Sequence, residues 1–95
     1  MEFEWSQAKS DATERLRGFN FAFAVEVFSS PTLEWCDSRQ AYDEVRIIAI
    51  GRAGPLHLVV VYTDRGPARR IISARPANRK ERRLWLETFA PTPSG

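Results

Sequence analysis

The stretch Ala68-Arg69-Arg70-Ile71-Ile72-Ser73-Ala74-Arg75-Pro76-Ala77-Asn78-Arg79-Lys80-Glu81-Arg82-Arg83 decides the fold. Ala68 to Arg75 reads as a strand. Pro76 closes it, because proline brings no N–H to a sheet ladder. Asn78 is a helix N-cap, and Glu81, three residues on, can reach back to the Asn78 N–H as a capping box. A last helix then runs to about Phe89, with Leu84, Trp85 and Phe89 as its apolar side. Simple alternation in the strand puts Arg69, Ile71, Ser73 and Arg75 on one face and Arg70, Ile72 and Ala74 on the other. The junction is strongly basic. Arg65 to Arg83 holds eight basic residues and one acid, while the rest of the chain holds six basic and eleven acidic residues. The formal net charge of +2 therefore divides into +7 and −5, a pattern that points to a polyanion or an acidic protein as partner.

Upstream of this stretch, Asp64-Arg65-Gly66-Pro67 is a turn by composition. Leu56 to Thr63 is apolar on both faces and reads as a central strand. Val45 to Arg52 is a further strand, with a turn over Gly51 to Pro55. Leu33 to Cys36 is a short one, with Leu33 and Trp35 on one face, and Asp37 to Asp43 is a polar connection. The tight spacing of the last three strands argues for an antiparallel meander. Ser6 can cap a first helix that runs to about Arg17 and stops at Gly18. Its core-facing residues by spacing are Trp5, Ala8, Ala12 and Leu16. Asn20 can cap a second helix from Phe21 to about Phe28, with Phe21, Ala24, Val25 and Phe28 buried. Phe23 and Val27 fall off that stripe, and Phe23 is either packed under a loop, the favoured reading because scattered exposed aromatics are common, or an exposed contact for a partner. Glu2 to Trp5 is a short strand or an entry segment. The expected fold is α+β: a four-stranded antiparallel sheet, with a possible extra short N-terminal strand, two N-terminal helices and one C-terminal helix. Residues 1–89 form a single domain and 90–95 a flexible tail.

Ninety-five residues suffice for one modest core. One cysteine, Cys36, excludes an intramolecular disulfide and an all-cysteine zinc site. No metal-ligand cluster, glycine-rich phosphate loop or cofactor motif is visible, so neither metal nor cofactor is expected. No apolar run reaches the ~20 residues of a membrane span, and the acidic, amphipathic start does not read as a signal peptide. His57 lies inside the most apolar strand and is read as structural. The arginines are the positive signal. Arg75 at the strand's end and Arg79 at the helix start could converge on one anion. Guanidinium groups bind phosphate bidentately and keep their charge. Arg46 and Arg52 on neighbouring strands could extend the patch. A solvated charged face with local ion pairs weighs equally at this level.

Three groups of residues resemble the BrnT family of type II toxins, small ribonucleases related in fold to RelE toxins. The first is Phe3-Glu4-Trp5, Lys9, Gly18, Phe21, Ala24, Val27 and Phe28. The second is Glu44-Val45-Arg46 with Ile48-Ala49-Ile50-Gly51. The third and most specific is Val59-Val60-Val61-Tyr62-Thr63, Arg70-Ile71-Ile72-Ser73-Ala74-Arg75, Ala77 and Glu81. The resemblance implies a RelE-like fold and a cytoplasmic, metal-independent endoribonuclease that arrests translation and growth. It also implies a cognate BrnA-like antitoxin of ribbon-helix-helix type that masks the toxin, with DNA reached only through the complex. The site residues it implies are Lys9, Arg46, Arg70, Arg75 and Arg79. Arg82 and Arg83 are read as surface.

The chain departs from the family pattern at four places. Ser6 stands for the usual Asp, and Thr13 for an Asn. Leu16-Arg17-Gly18 replaces a usual Lys-His-Gly, so the histidine is lost. Trp85 replaces a tyrosine. An arginine can hold phosphate but cannot accept a proton at neutral pH. Glu44, His57 and Lys9 are the remaining candidates for a base. The alternative reading is a catalytically weakened RNA- or antitoxin-binding module of the same fold, and direct DNA binding ranks last.

Overall fold

The computed structural model describes residues 1–39 and 41–90. Its sheet has the strand order β1-β5-β4-β3-β2, with β1 Glu2–Trp5, β2 Leu33–Cys36, β3 Ile47–Ala53, β4 Leu56–Arg65 and β5 Ala68–Pro76. The helices are α1 Gln7–Arg17, α2 Phe21–Ala24 and α3 Arg79–Phe89, with a 3-10 helix Val25–Ser29 directly after α2. β4 is central and apolar on both faces, as its composition requires. Leu58, Val60 and Tyr62 pack with α2 on one side, and Val59 packs with Ile50 and Trp85 on the other.

The possible extra N-terminal strand is present, which makes the sheet five-stranded and mixed rather than four-stranded and antiparallel. β1 adds a fifth strand, parallel to β5, with Glu4 opposite Arg70 and Trp5 opposite Ile71. The cause is legible in Phe3 and Trp5 alternating with Glu2 and Glu4. A period of two sends the aromatics to the helix side and the carboxylates to the other. Phe3 stacks on Phe28 at 5.6 Å, and Trp5 meets Phe21 edge-on at 6.4 Å. The added strand also satisfies the edge of β5, which would otherwise present unpaired amides and carbonyls.

Strict alternation along β5 fails as well. Val61 pairs with Ser73 but Tyr62 pairs with Ile71, so Ile72 is the extra residue of a β-bulge. The bulge reverses the faces of everything before it. Arg69 and Ile71 share the helix-covered face with Ala74. Arg70 joins Ser73 and Arg75 on the opposite face.

Helix details depart from the sequence reading for identifiable reasons. The second helix tightens to 3-10 geometry after Ala24, so its buried residues, Phe21, Ala24 and Val27, recur every third position. Val27 is therefore fully buried rather than off the stripe, and its Cβ would lie 2.7 Å from a Cβ added at Gly51. Phe23 packs beside Phe19 and over the β3–β4 turn at Gly54, as expected of a residue under a loop. In α1, Ala8, Ala12 and Leu16 are exposed, Leu16 at 75%. The inward residue is Ser10, whose hydroxyl accepts the Phe21 N–H at 3.0 Å and so satisfies an otherwise orphan donor at the start of α2. Gly18 ends α1 at φ 84°, in the left-handed region.

α3 covers only part of the other face. It lays Trp85 and Phe89 against Leu33, Ile48, Ile50 and Val59, and the Trp85 indole N–H donates to the Pro31 carbonyl at 2.9 Å. The remainder of that face, toward β5 and β1, lies open. Ala90 caps α3, and residues 91–95 of the expected tail lie outside the described residues.

Candidate functional site

The open face carries the chemistry. Arg75 projects from it near the end of β5, and the Asn78 capping box of α3 fixes its position. Glu81 Oε1 accepts the Asn78 N–H at 2.9 Å, and Asn78 Oδ1 accepts the Glu81 N–H at 2.8 Å. The same carboxylate takes Arg75 bidentately, from Nη1 and Nη2 at 2.8 Å each, and Nη1 also donates to the Pro76 carbonyl at 3.2 Å. Glu81 is thus cap and arginine anchor at once. The Arg75 hydrogen bonds hold its carboxyl below the usual range, and Glu81 in turn raises the pKa of Arg75.

Across from Arg75, a cleft of about 70 Å³ opens over Ile48, Val59, Val61 and Ser73, with Arg39 as its other wall. Arg39 comes from the loop after β2. Its Nε and Nη2 donate to Asp37 Oδ1 and Oδ2 at 2.8 and 2.7 Å. The Asp37 side chain is fully buried, while the Arg39 side chain is 68% exposed. Hydrogen bonds from Arg39 pull the Asp37 carboxyl down to about 2, against the opposing effect of burial. The loop is pinned further by the Asp37 N–H on the Arg46 carbonyl at 2.8 Å.

The structure sorts the arginines expected from the sequence. Arg70 lies on the same face as Arg75, opposite Thr63, and pairs loosely with Glu4 at 3.9 Å. Roughly 15 Å of strand separates the two, too far to share one phosphate. Arg46 immediately precedes β3, and Thr63 Oγ1 donates to the neighbouring Val45 carbonyl at 2.7 Å. Arg46 therefore stands at the Arg70 end of the sheet, bonded to Glu44 at 3.2 Å with its guanidinium 3.9 Å over the Tyr42 ring.

Arg79 is not brought together with Arg75. Two residues along a helix turn the side chain by about 200°, so Glu81 faces the strand and Arg79 faces away. Arg79 lines a groove on α3 with Arg82, Arg83 and Leu86. Lys9 is exposed on α1, the helix packed against the other face of the sheet. Arg69 is withdrawn from the open face: it pairs with Asp64 at 2.8 Å and lies over the Phe28 and Tyr62 rings.

None of the three proton acceptors considered from the sequence lies in the cleft beside Arg75, and Lys9 stands on the far side of the sheet. Glu44 is paired with Arg46. His57 lies against Trp85, ring centroids 4.8 Å apart, with Nε2 buried and unpartnered. Arg39 is the cleft residue that sequence reasoning missed. The available signal was Asp37 two residues before it: Asp37 Oδ1 also accepts the Arg39 N–H at 3.2 Å, the Asx-turn that aspartates form at loop starts.

The chain is a small α+β domain with α1 and α2 over one face of its sheet, and two carboxylate-anchored arginines on the part of the other face that α3 leaves open, a geometry suited to an anion. Among the described residues, no group of three or more His, Cys, Asp or Glu is placed to hold a metal, and no helix is long and apolar enough to cross a membrane. The chain belongs to the BrnT family, whose model, described as the ribonuclease toxin BrnT of type II toxin–antitoxin systems, matches residues 5–81. The matched span ends on Glu81 and so includes both Arg75 and the carboxylate that anchors it. No curated relative matches the chain. Membership makes it a ribonuclease toxin of a type II system, with an antitoxin as its partner.

Proposed function

We propose that the protein is a metal-independent endoribonuclease of the cytoplasm that arrests translation and growth, and that the open sheet face is where RNA is cut. The observation that supports this most is Arg75, fixed by a bidentate carboxylate yet 45% exposed beside a cleft. Cleavage would proceed by attack of the RNA 2′-oxygen on the adjacent phosphorus. The bond to the 5′-oxygen breaks, leaving a 2′,3′-cyclic phosphate and a 5′-hydroxyl, and the 2′-hydroxyl proton is passed through solvent to the leaving oxygen. Arg75 stabilises the charge that builds on the phosphorane oxygens, and a pre-oriented donor is worth most there. Arg70 and Arg46, at the other end of the sheet, hold the RNA backbone there. Arg79 tracks the strand along α3, and Lys9 contributes from the sheet's other side. The partner that masks this face is a BrnA-like antitoxin of ribbon-helix-helix type, and DNA is contacted through that complex.

The experiment is RNA cleavage by purified protein in EDTA, with Arg75→Ala alongside. Cleavage is expected to persist in EDTA and to fall about 100-fold or more in the variant. Activity abolished by chelation, or undiminished in Arg75→Ala, would overturn the scheme. A binding module that holds RNA without cutting is the second reading. It is favoured by the commitment of Glu44 and Glu81 to arginines and by the burial of His57 Nε2 beneath α3. Growth on expression without antitoxin separates the two, since a harmless protein that still binds RNA supports the module.

A further inference from the structure

Arg39 has no counterpart among the residues that the family likeness singles out, yet the fold goes to some length to hold it. A carboxylate with no exposed surface, Asp37, is committed to it through two short hydrogen bonds. Burying a carboxylate is costly unless the pairing is good, and a merely solvated loop arginine needs no such partner. Nε and Nη2 bind Asp37, and a guanidinium has five N–H donors, so Arg39 retains donors for a ligand. It faces Arg75 across a cleft of about 70 Å³ floored by Ile48, Val59 and Val61, with Ser73 at its edge. The cleft is small and lies between two guanidinium groups, which suits a phosphoryl group. An apolar floor also weakens screening and strengthens attraction to an anion. The two guanidiniums are near enough for the Arg39 charge to oppose the protonation of Arg75, a repulsion that an anion between them would relieve.

We propose that Arg39 and Arg75 form a two-jawed clamp for a phosphodiester, with Arg39 as a substrate-binding residue supplied by the loop after β2. Each jaw is pre-set by its own carboxylate, Asp37 and Glu81, so little side-chain freedom is lost when the ligand arrives. The clamp takes one phosphate, with the Ser73 hydroxyl as a third donor at its edge. Its assignment to RNA rests on the ribonuclease reading. Its capacity for a phosphodiester does not.

The test is binding of a 2′-O-methyl oligoribonucleotide, which cannot be cleaved, followed by fluorescence anisotropy. Arg39→Gln is compared with wild type and with Arg15→Gln, which removes the same charge from α1 on the far side of the sheet. Because Arg39→Gln leaves the Asp37 carboxylate without its cation, the double variant Asp37→Asn/Arg39→Gln removes that burden and carries the test if the single variant folds poorly. The expected result is a weakening of about tenfold in both Arg39 variants and less than twofold in Arg15→Gln. Affinity within twofold of wild type in the double variant overturns the clamp, as does an equal loss in Arg15→Gln. So does a double variant that keeps oligonucleotide affinity and loses only the antitoxin, since the cleft would then serve a protein carboxylate. If wild type cuts no RNA but the Arg39 variants still lose affinity, the clamp stands and the ribonuclease reading fails. If cleavage and binding both survive Arg39 replacement, the clamp alone fails.

Discussion

His57 stands on β4 beneath α3, its ring against Trp85 and its Nε2 buried with no hydrogen-bond partner. Desolvation lowers its pKa below 6.5, and the charges of Arg52 and Arg82 lower it further. The unfolded chain therefore takes up this proton at a higher pH than the folded protein does. Stability is complete above the unfolded value and falls as the pH drops through about 6.5 toward the folded value. The slope is at most about 1.4 kcal/mol per pH unit for one proton. Denaturant titrations between pH 7.5 and 5 should show this loss, and His57→Leu should flatten it. The two arginine-bonded carboxylates leave that window clear: Glu81 is held below 4.5 and Asp37 near 2, so their losses come at lower pH. A wild-type curve flat from 7.5 to 5 would contradict a buried, unpartnered Nε2 on His57.

At the scale of elements, α3 begins with a capping box whose Glu81 also anchors Arg75, so two roles meet in one carboxylate. They can be separated, because glutamine also completes a capping box but cannot hold a guanidinium with the same charge assistance. Glu81→Gln is expected to change unfolding stability by less than about 1 kcal/mol and to slow RNA cleavage about 10- to 100-fold, through a misplaced Arg75. Thermal melts and cleavage rates on one preparation check it, and cleavage at the wild-type rate would remove Glu81 from the site. The box itself was readable in the sequence, since Pro76, Asn78 and Glu81 act through local bonds. So were β2, to the residue, and β4, whose apolar character on both faces demands a central position. What could not be read arises from contacts between elements. The bulge at Ile72 depends on the pairing of β5 with β4, and it alone moves Arg70 onto the face of Arg75. Val27 is buried because the 3-10 turn meets Gly51, and Ser10 turns inward because the Phe21 amide needs an acceptor. Arg39 escaped notice because its neighbours in space, Ser73 and Arg75, lie more than thirty residues away in sequence.

For the whole molecule, the division of charge into a +7 junction and a −5 remainder acquires a spatial meaning from the sheet. Arg70 and Arg75 share the open face, and Arg79, Arg82 and Arg83 line α3 beside it. Arg69 is turned to the other face and neutralised by Asp64. If the open face tracks an RNA backbone, binding must release counterions, and its logarithm must fall linearly with the logarithm of salt, by about 0.7 per phosphate neutralised on a single strand. Contacts from Arg46, Arg70 and Arg75 give a slope of about −2. Contacts along α3 would steepen it. Arg70→Gln and Arg75→Gln should each reduce the slope by about 0.7, whereas Arg15→Gln on α1 should leave it unchanged. Anisotropy titrations of an uncleavable oligoribonucleotide at several NaCl concentrations measure this directly. A slope near zero, or one reduced equally by Arg15→Gln, would mean that RNA does not follow this face. The concentrated positive charge would then be left to the antitoxin, whose affinity should carry the salt dependence instead.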